Sequence, residues 1–459
     1  MKDGYVIGLD LGSSSIKAVL AKSISDGNIE IIGSEILENS DQILSGEIYN
    51  VNKTVHSITE IIRRLSHDLA INNSDLHIST NITGQHIQFH FFDYNQDRIN
   101  PRQPISDVEI FELLKKAKEE WDDKENPILH QLSISFKVDN NPETNEPVGL
   151  IGSKISAKIL FIVCNQEKLD ILKDTIQSIK DFNFKFKRIS FGAIGSGIGV
   201  LSEEEKKEGV ILLDLGSGLT EISMYHKGQL KHAKVVNWGG NRISEDISTG
   251  LNISYGHAET IKIKFGSALS REVDYNEVIM VPGIAGRAPH PVSARNLAII
   301  IEERMKELAA IILAEIKRIG TPKDFKSGIV IIGGGAQLPY INNLLLKYAG
   351  LECRIGESPI HAKTLKIQED ISNPLFASSV GLSKLIIDQL DFNQELKDQQ
   401  NAPSENIGNE ISEEIHATIS KDIPQNNENP KAKSGASFKK LFNRMVDVVM
   451  GDEGDGDDY

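Results

Sequence analysis

Residues 6 to 17 read Val-Ile-Gly-Leu-Asp-Leu-Gly-Ser-Ser-Ser-Ile-Lys, and residues 210 to 221 read Val-Ile-Leu-Leu-Asp-Leu-Gly-Ser-Gly-Leu-Thr-Glu. In both stretches an apolar run leads into Asp-Leu-Gly-Ser, small or hydroxyl residues follow, and the chain then becomes apolar again. This pattern predicts a buried strand, a tight turn with free backbone N–H groups, and a second strand. Two such turns facing each other could clamp a polyphosphate, which implies two similar half-molecules with a nucleotide between them.

Both turns consist of small residues, which leaves their backbone N–H groups accessible to a phosphate. One Asp-Leu-Gly-Ser segment alone is more often an ordinary β-turn, but two copies at matching positions favour the phosphate site. The candidate phosphate-binding residues are Gly12, Ser13, Ser14, Ser15, Gly216, Ser217 and Gly218.

Three charged side chains accompany these turns. Asp10 and Asp214 end their strands and should point at the predicted cleft. A phosphate would repel both carboxylates unless a divalent cation lay between them, so they are candidate ligands of a Mg²⁺ ion held largely through water. Lys17 is close enough to the first turn to reach a phosphate as a point charge.

Two weaker signals occur in the second half of the chain. Gly333-Gly334-Gly335 directly follows the β-branched run Ile329–Ile332, and backbone without side chains allows a flat base or a ribose to approach closely. Glu259 and Lys262 are spaced i, i+3 on the predicted short helix His257–Phe265, so both can face one ligand. On spacing alone, a solvated ion pair explains these two residues better.

The composition excludes several classes of protein. A chain of 459 residues can form two or more domains, and its formal net charge of −15 argues against non-specific nucleic-acid binding. Because Cys164 and Cys353 are the only cysteines, neither a disulfide scaffold nor a cysteine-based zinc site is expected. No run of about 18 apolar residues occurs, so we expect no membrane-spanning segment. The first residues, Met-Lys-Asp-Gly-Tyr, lead directly into a predicted strand, so we expect no signal peptide.

The apolar spacing also outlines the organisation of the chain. It predicts helices over Ser106–Trp121, Gln166–Ile179 and Ala294–Ile319. The helix Ser106–Trp121 lies among extended segments, which suggests an inserted subdomain closed by the strand Ala157–Cys164. Residues 391–433 are rich in Asn, Gln, Glu, Ser and Pro, which favours a flexible tether because such a stretch buries little apolar area.

The stretch Ser437–Met450 has an amphipathic pattern, with apolar residues at helical spacing and cations on the opposite side. An isolated helix of this length is marginal in water, and docking on the protein's own core is the alternative to a lipid interface. The long tether before it favours insertion into an interface with anionic head groups. The acidic residues 451–459 would be repelled there. The apolar residues of the stripe are Phe438, Leu441, Phe442, Met445, Val446 and Val449.

Two Asp-Leu-Gly turns, a connecting helix and a strand followed by three glycines, in this order, resemble the actin, Hsp70 and sugar-kinase superfamily. Within it the chain is similar to the FtsA family of bacterial cell-division proteins. The local matches are Ala258–Gly266, Val281–Arg287 before a long helix, and Gly333–Leu338. The amphipathic block after the tether is similar to the family's membrane-targeting sequence, so the resemblance covers residues 5 to 450.

The resemblance implies an α/β, actin-like (ribonuclease H-like) two-domain fold with an inserted α+β subdomain, a disordered tether and an amphipathic helix. It implies a first domain of residues 1–83, completed by 165–205 and about 366–390, and an insert of 84–164. The second domain would span 206–365 with a smaller subdomain at about 238–310. The tether, membrane-targeting helix and acidic tail would be 391–433, 434–450 and 451–459.

By the same resemblance the ligand is ATP with Mg²⁺. Asp10, Gly12 to Ser15 and Lys17 would form the first phosphate loop, and Asp214 to Gly218 with Thr220 the second. Gly239 and Gly240 would lie beside the phosphates. Glu259 and Lys262 would hold the ribose or adenine, and Gly333, Gly334 and Gly335 would back the base.

The resemblance also implies a role. The chain would polymerise into actin-like filaments and anchor the tubulin-like protein FtsZ, held by its C-terminal tail, at the division site. It would be a peripheral membrane protein on the cytoplasmic face of the cell inner membrane. The region Arg271–Arg304 would receive the FtsZ tail, with Arg287, Arg295 and Arg304 as candidate contacts.

Two departures from the superfamily concern the chemistry. The second turn reads Gly-Ser-Gly-Leu-Thr instead of Gly-Gly-Gly-Thr, and Leu219 narrows the space near the phosphates. Residues Ile189 to Leu201 contain no Glu or Gln that could orient an attacking water, so weak or absent ATPase activity is expected.

A small-molecule kinase and a pilus-assembly ATPase-like protein of the same superfamily are the alternatives. A kinase would need a catalytic carboxylate near the first phosphate loop, where Glu30, Glu35 and Glu38 lie on or after an edge-like strand. The tether and the amphipathic helix favour the division protein.

Overall fold

A computed structural model describes residues 5–24, 29–39, 41–66, 76–282 and 288–388, and its two largest sheets have the same layout. In chain order the strands are β1 (Tyr5–Leu11), β2 (Ser15–Ser23), β3 (Ile29–Glu38), β4 (Ile43–Leu44), β5 (Glu47–Ile48), β6 (Leu76–Ile82), β7 (Ile87–Asp97), β8 (Ile128–Val138), β9 (Lys154–Cys164), β10 (Lys185–Phe191), β11 (Val210–Leu215), β12 (Thr220–His226), β13 (Gln229–Val236), β14 (Val278–Val281), β15 (His290–Ser293), β16 (Ile329–Ile332) and β17 (Cys353–Ile355). The helices are α1 (Val51–Ser66), α2 (Asp107–Glu119), α3 (Gln166–Gln177), α4 (Gly192–Val200), α5 (Glu203–Glu208), α6 (Gly240–Leu251), α7 (Tyr255–Phe265), α8 (Ala294–Ile319), α9 (Ile341–Ala349), α10 (Leu365–Ser372) and α11 (377–388).

The two repeated sequence stretches form equivalent hairpins in the two five-stranded sheets. The first sheet has the order β10-β6-β1-β2-β3, with β1 antiparallel to β2 and parallel to β6. The second has the order β13-β12-β11-β16-β17, with β11 antiparallel to β12 and parallel to β16. Each Asp-Leu-Gly turn therefore connects the central strand of its sheet to an antiparallel neighbour.

Strand β1 is buried on both faces because its side chains alternate between two apolar cores. Ile7 and Leu9 pack into the cluster that includes residues of α1 and α3, and Val6 packs into the cluster that includes residues of α11. Gly8 lies on the α11 face, where an added Cβ would be 2.0 Å from the Ser379 carbonyl oxygen. The glycine therefore allows α11 to lie directly on the strand that carries the first Asp-Leu-Gly turn.

The inserted subdomain contains the antiparallel sheet β7-β9-β8 and helix α2. Its own core joins side chains of α2, such as Leu113, to side chains of β9, such as Phe161. Several polar contacts attach it to the rest of the molecule, including one buried and one partly buried contact. Phe191 N at the start of α4 donates to His130 Nε2 at 2.9 Å, and Lys231 Nζ on β13 donates to the Ile134 carbonyl oxygen at 2.5 Å.

The predicted helices agree closely with the observed ones. Helix α8 has the predicted bounds, with an apolar stripe into the core and Ser293 Oγ accepting from Asn296 N as its N-cap. Helices α2 and α3 are two or three residues shorter than predicted, because the last predicted residues lie beyond the final helical turn. No helix in the described ranges is long and apolar enough to cross a membrane. The tether, the amphipathic stretch and the acidic residues 451–459 lie outside those ranges.

Candidate functional site

The two Asp-Leu-Gly turns meet across a narrow cleft between the two sheets. A Cβ added to Gly218 in the second turn would lie 3.1 Å from Ser13 Oγ in the first turn and 2.9 Å from Ser45 Cα. The turns are therefore in contact, and only a residue without a side chain fits there. The cavity between them measures ≈ 80 Å³. Of the predicted site residues it is lined by Asp10, Gly12, Ser13, Ser14, Lys17, Asp214, Gly216, Ser217, Gly218, Gly333 and Gly334.

The Asp10 carboxylate is held on both oxygens. Lys17 Nζ lies 2.7 Å from Asp10 Oδ2, and Asn81 Nδ2 donates to Asp10 Oδ1 at 2.6 Å. Asn81 also accepts from Leu11 N at 2.7 Å, so it fixes both the carboxylate and the end of β1. The sequence interpretation missed Asn81, which is the last residue but one of β6, as Asp10 is of β1.

Asp214 lies across the cleft from Asp10 and is poorly solvated. Burial first, and then the negative charge of Asp10, raise the pKa of Asp214 to about 7, against an opposing effect of Lys17. The two carboxylates thus interact through space although they come from different sheets. A cation between two such carboxylates would offset their mutual repulsion, so this pair fits a divalent ion.

Glu221, on β12, supplies a further carboxylate and is buried. The sequence interpretation considered only residues 189–201 for such a group and therefore missed it. Glu221 pairs across the strands with Asp214, and a Cβ added to Gly192, the first residue of α4, would be 2.8 Å from Glu221 Oε1. Burial, followed by the charge of Asp214, raises the pKa of Glu221 to about 8. Within the described part of the chain, Glu221 Oε2 has no hydrogen-bond partner. The detectable signal was an acidic residue close after the second Asp-Leu-Gly turn, beside apolar residues at alternate positions such as Ile222 and Met224.

The second turn is supported from behind by the start of α6. Gly240 N donates to the Gly216 carbonyl oxygen at 3.0 Å, and a Cβ on Gly239 would lie 2.3 Å from the Ser217 carbonyl oxygen. Thr220 Oγ1 donates to the Trp238 carbonyl oxygen at 2.7 Å. Gly239, Gly240 and Thr220 therefore shape the turn and do not line the cavity.

The three glycines after β16 have different environments. Gly333 has φ +79°, and an added Cβ would be 2.4 Å from Asp214 Oδ1, so a side chain is excluded on two grounds. A Cβ on Gly334 would make only an ordinary contact with Leu375 Cδ2 at 3.9 Å, whereas a Cβ on Gly335 would be 2.6 Å from Leu215 Cβ. Ser15 is likewise buried in β2 and does not line the cavity.

Glu259 and Lys262 approach the second turn without reaching the cavity. Lys262 Nζ lies 2.7 Å from Glu259 Oε2 and donates to the Gly240 carbonyl oxygen at 2.9 Å. Ser244 Oγ also donates to Glu259 Oε2. The two residues form an ion pair that bridges α6 and α7 beside the turn.

The predicted arginine contacts are not brought together. Arg295 lies over the Tyr275 ring at 5.8 Å from its centroid, whereas Arg304 Nε forms a salt bridge with Asp246 Oδ2 at 2.6 Å. The two arginines are nine residues apart on α8, which places them on opposite sides of the helix. Arg287 and the six apolar residues of the amphipathic stripe lie outside the described residues.

Comparison with known proteins shows where this architecture occurs. The family model "Cell division protein FtsA" matches residues 211–381, and the model "SHS2 domain inserted in FTSA" matches residues 84–163. The chain is 28% identical over 381 residues to the cell division protein FtsA of Pseudomonas aeruginosa, covering 82% of this chain and 88% of that one. It is 28% identical over 392 residues to FtsA of Escherichia coli (strain K12), covering 82% and 89%.

Among solved structures, the "PilM-PilN type IV pilus biogenesis complex" contains a chain that is 13% identical and has a TM-score of 0.55. The alignment covers 82% of this chain and 97% of that one, and the likeness concerns the actin-like fold alone. The two family models together span the insert and the second domain, and the relatives extend the match over most of the chain. The chain belongs to the FtsA family of actin-like cell-division proteins.

Proposed function

We propose that this chain binds Mg²⁺–ATP between its two sheets, polymerises, and links FtsZ to the cytoplasmic face of the inner membrane through residues 434–450. The observation that carries the nucleotide part is the pair of facing Asp-Leu-Gly hairpins, whose carboxylates Asp10 and Asp214 interact across the cleft. The family membership supports the role in division.

Binding a nucleotide requires the cleft to widen. The cavity of ≈ 80 Å³ is much smaller than the roughly 300–1,000 Å³ typical of small-molecule sites. The contact of Gly218 with Ser13 and Ser45 must therefore separate, which moves one sheet relative to the other. Nucleotide binding is in this way coupled to the relative position of the two domains, and this coupling gives a route by which ATP controls assembly.

The residues present fit a hydrated magnesium ion. Asp10 and Asp214 would hold it, and two carboxylates with several waters match the preference of Mg²⁺. Within the described ranges, no group of three His, Cys, Asp or Glu side chains is placed to hold a metal ion. We therefore propose that water molecules supply most of the ligands of the ion. The ion would neutralise phosphate charge, and the turn N–H groups would orient the phosphates.

Hydrolysis of ATP is proposed to be slow. Helix α4 provides no Glu or Gln, and the carboxyl group nearest to its start, Glu221, has a pKa of about 8 and is mostly protonated at neutral pH. A protonated carboxyl is a poor general base. A phosphate-release assay should therefore show turnover well below the enzyme median of about 10 per second.

The proposed FtsZ surface is the two-stranded sheet β14–β15. Val278 and Met280 on β14 are 56% and 61% exposed, and Tyr275 beside them is 75% exposed. Arg295 lies next to Tyr275, which adds a cation to an exposed apolar strand. An edge strand of this kind suits an extended peptide with apolar and acidic side chains. Arg304 is engaged in its own salt bridges and is a less suitable contact.

Calorimetric titration of Mg²⁺–ATP tests the nucleotide site. The variant Asp214→Asn keeps the shape of the turn but removes the charge that would hold the metal ion, and we expect affinity to fall about tenfold or more. Asp93→Asn changes an exposed carboxylate of the insert and is the matched control. Equal affinity for the two variants would show that the ligand is not held in this cleft.

A further inference from the structure

A second cleft, of ≈ 440 Å³, lies where the inserted subdomain meets the second sheet. It borders the turn between β12 and β13, at the opposite end of β12 from the phosphate turn. Asn145 and Glu146 of the insert form one wall. We call it the basic cleft, because four of the nine residues lining it are lysines: Lys207, Lys227, Lys323 and Lys326.

The positive charge of the basic cleft is only partly neutralised. Of its three carboxylates, Glu208 forms a salt bridge with Lys326 at 3.1 Å, and Asp324 Oδ2 accepts from Thr321 N at 2.7 Å. Within the part of the chain that the structure describes, Lys207, Lys227 and Lys323 have no salt-bridge partner. Four ammonium groups and three carboxylates therefore border one concave surface, which leaves one positive charge in excess, and among the described residues three of the ammonium groups form no salt bridge there.

The positive charge of Lys227 lowers the pKa values of two nearby side chains. After burial, the largest cause that lowers the pKa of His226 is the charge of Lys227. Burial, followed by the charge of Lys227, also lowers the pKa of Lys231 to about 8. An anion bound in the basic cleft would relieve this repulsion.

The floor of the basic cleft is rigid. Lys227 has φ +54° at the hairpin turn, and its N–H donates to the Lys207 carbonyl oxygen at 3.1 Å. Gly228 N donates to the Lys206 carbonyl oxygen at 3.0 Å, and Asn145 Nδ2 reaches the Lys227 carbonyl oxygen at 3.5 Å. Lys207 and Lys227 are thus carried by backbone that is hydrogen-bonded before any partner binds.

The chain itself contains a segment of complementary charge. Residues 452–458 read Asp-Glu-Gly-Asp-Gly-Asp-Asp, with five carboxylates and no cation in seven residues. Residues 389–451 join this acidic segment to α11. If these 63 residues behaved as a flexible chain, their root-mean-square span would be about 40–48 Å. The acidic segment can therefore reach the surface of its own molecule at a high effective concentration.

We propose that residues 452–458 bind in the basic cleft of their own chain. Each exposed ion pair alone contributes little, so the interaction depends on several pairs together and on the tether. It is therefore sensitive to salt. Because the amphipathic stretch Ser437–Met450 directly precedes the acidic segment, occupancy of the cleft also determines where that stretch is held.

The test uses the full chain and a fluorescently labelled peptide of residues 451–459, read by anisotropy. In the tip-neutral chain, the five carboxylates become amides, so that its own segment no longer competes for the cleft. The cleft variant adds Lys207→Glu, Lys227→Glu and Lys323→Glu to the tip-neutral chain. The control variant instead adds Lys115→Glu, Lys124→Glu and Lys366→Glu, three exposed lysines elsewhere, which gives the same net charge.

We expect the peptide to bind the tip-neutral chain and the control variant with affinities within about twofold of each other, and the cleft variant about tenfold or more weakly. We expect the unmodified chain to bind the peptide about tenfold more weakly than the tip-neutral chain, because its own segment occupies the cleft. A milder triple Lys→Gln cleft variant should be intermediate, which separates loss of charge from misfolding.

Three results would overturn the proposal. Equal binding by the cleft and control variants, or no binding at all, would show that the basic cleft does not recognise acidic peptide. Equal binding by the unmodified and tip-neutral chains would show that an acidic peptide fits the cleft but that the chain's own segment does not occupy it.

Discussion

The protonation of Asp214 and Glu221, in the cleft between the two sheets, affects the stability of the whole protein. The pKa of Glu221 is raised from 4.5 to about 8 and that of Asp214 from 3.8 to about 7, both chiefly by burial. A folded-state pKa above the unfolded value means that the folded protein holds its proton more tightly. The associated stability is fully present below about pH 4 and is lost as pH rises through about 7 to 8.

Replacing Glu221 with Gln removes this pH-dependent loss. Without ligand, we expect Glu221→Gln to match the parent protein at pH 5 and to exceed its stability at pH 9 by on the order of 2 kcal/mol. For domains of this size that corresponds to a rise of roughly 4–8 °C in Tm by calorimetry. Glu119→Gln, at an exposed position of α2, is the control and should change neither value. The same difference at both pH values would mean that the pKa of Glu221 is not raised by folding.

At the scale of elements, some parts of the molecule follow directly from the sequence. Helix α8 and strand β16 have the predicted bounds because their apolar patterns are long or unbroken. Helix α6 was missed because it begins with glycine, and its buried apolar side chains are only Ile243 and Ile247. Strands β14 and β15 were missed because both are four residues long and have exposed apolar positions.

The candidate site, too, could be predicted only in part from the sequence. Asp10, Asp214 and the two turns stand in contiguous motifs, so the sequence alone indicates them. Asn81 reaches the cleft only through the pairing of β6 with β1, which a local pattern does not contain. Glu221 stands within the quoted stretch, but its burial beside Asp214 depends on the packing of β12. The closeness of the two turns, with Gly218 against Ser45, depends on the packing of both domains and could not be predicted from either motif.

The start of α6 shows how one element can set the shape of another. A Cβ on Gly239 would be 2.3 Å from the Ser217 carbonyl oxygen, which is fixed backbone, whereas a Cβ on Gly240 would be 3.2 Å from the flexible Lys262 Nζ. We therefore expect Gly239→Ala to displace the second turn, lower the free energy of unfolding by about 1–3 kcal/mol, and weaken Mg²⁺–ATP binding.

Gly240→Ala is the matched control because Lys262 can move aside, and it should change both quantities much less. Urea unfolding and calorimetric titration measure the two effects separately. If both variants bind nucleotide like the parent protein, the second turn does not depend on α6 for its shape.

At the scale of the whole molecule, membrane attachment should depend on assembly. In the proposed membrane-targeting stretch 434–450, the partial entry of six apolar side chains and three cations into an anionic interface is offset by the entropy cost of ordering about fourteen residues. One copy would therefore hold weakly, whereas several copies on one polymer would bind together because each later contact is intramolecular.

The acidic residues after the helix can oppose attachment in two ways, and the basic cleft separates them. If residues 452–458 are only repelled by anionic lipid, the charge of the cleft is irrelevant to attachment. If they are bound in the basic cleft, removing the positive charge of the cleft releases them and, with them, the amphipathic stretch. With the acidic segment intact, the Lys207→Glu, Lys227→Glu, Lys323→Glu chain should then co-sediment with anionic liposomes at a lower protein concentration than the parent chain.

Liposome co-sedimentation across protein concentration measures both effects in one experiment. The parent chain should give a cooperative curve, and Phe442→Glu should abolish binding by placing a charge in the apolar stripe. The Lys115→Glu, Lys124→Glu, Lys366→Glu chain carries the same net charge as the cleft-substituted chain, so it controls for general repulsion from anionic lipid. A linear parent curve would remove the link to assembly, and normal binding by Phe442→Glu would remove the membrane helix. Equal shifts for the two lysine variants would leave repulsion by lipid as the only effect of the acidic residues, because the position of the lysines would then not matter.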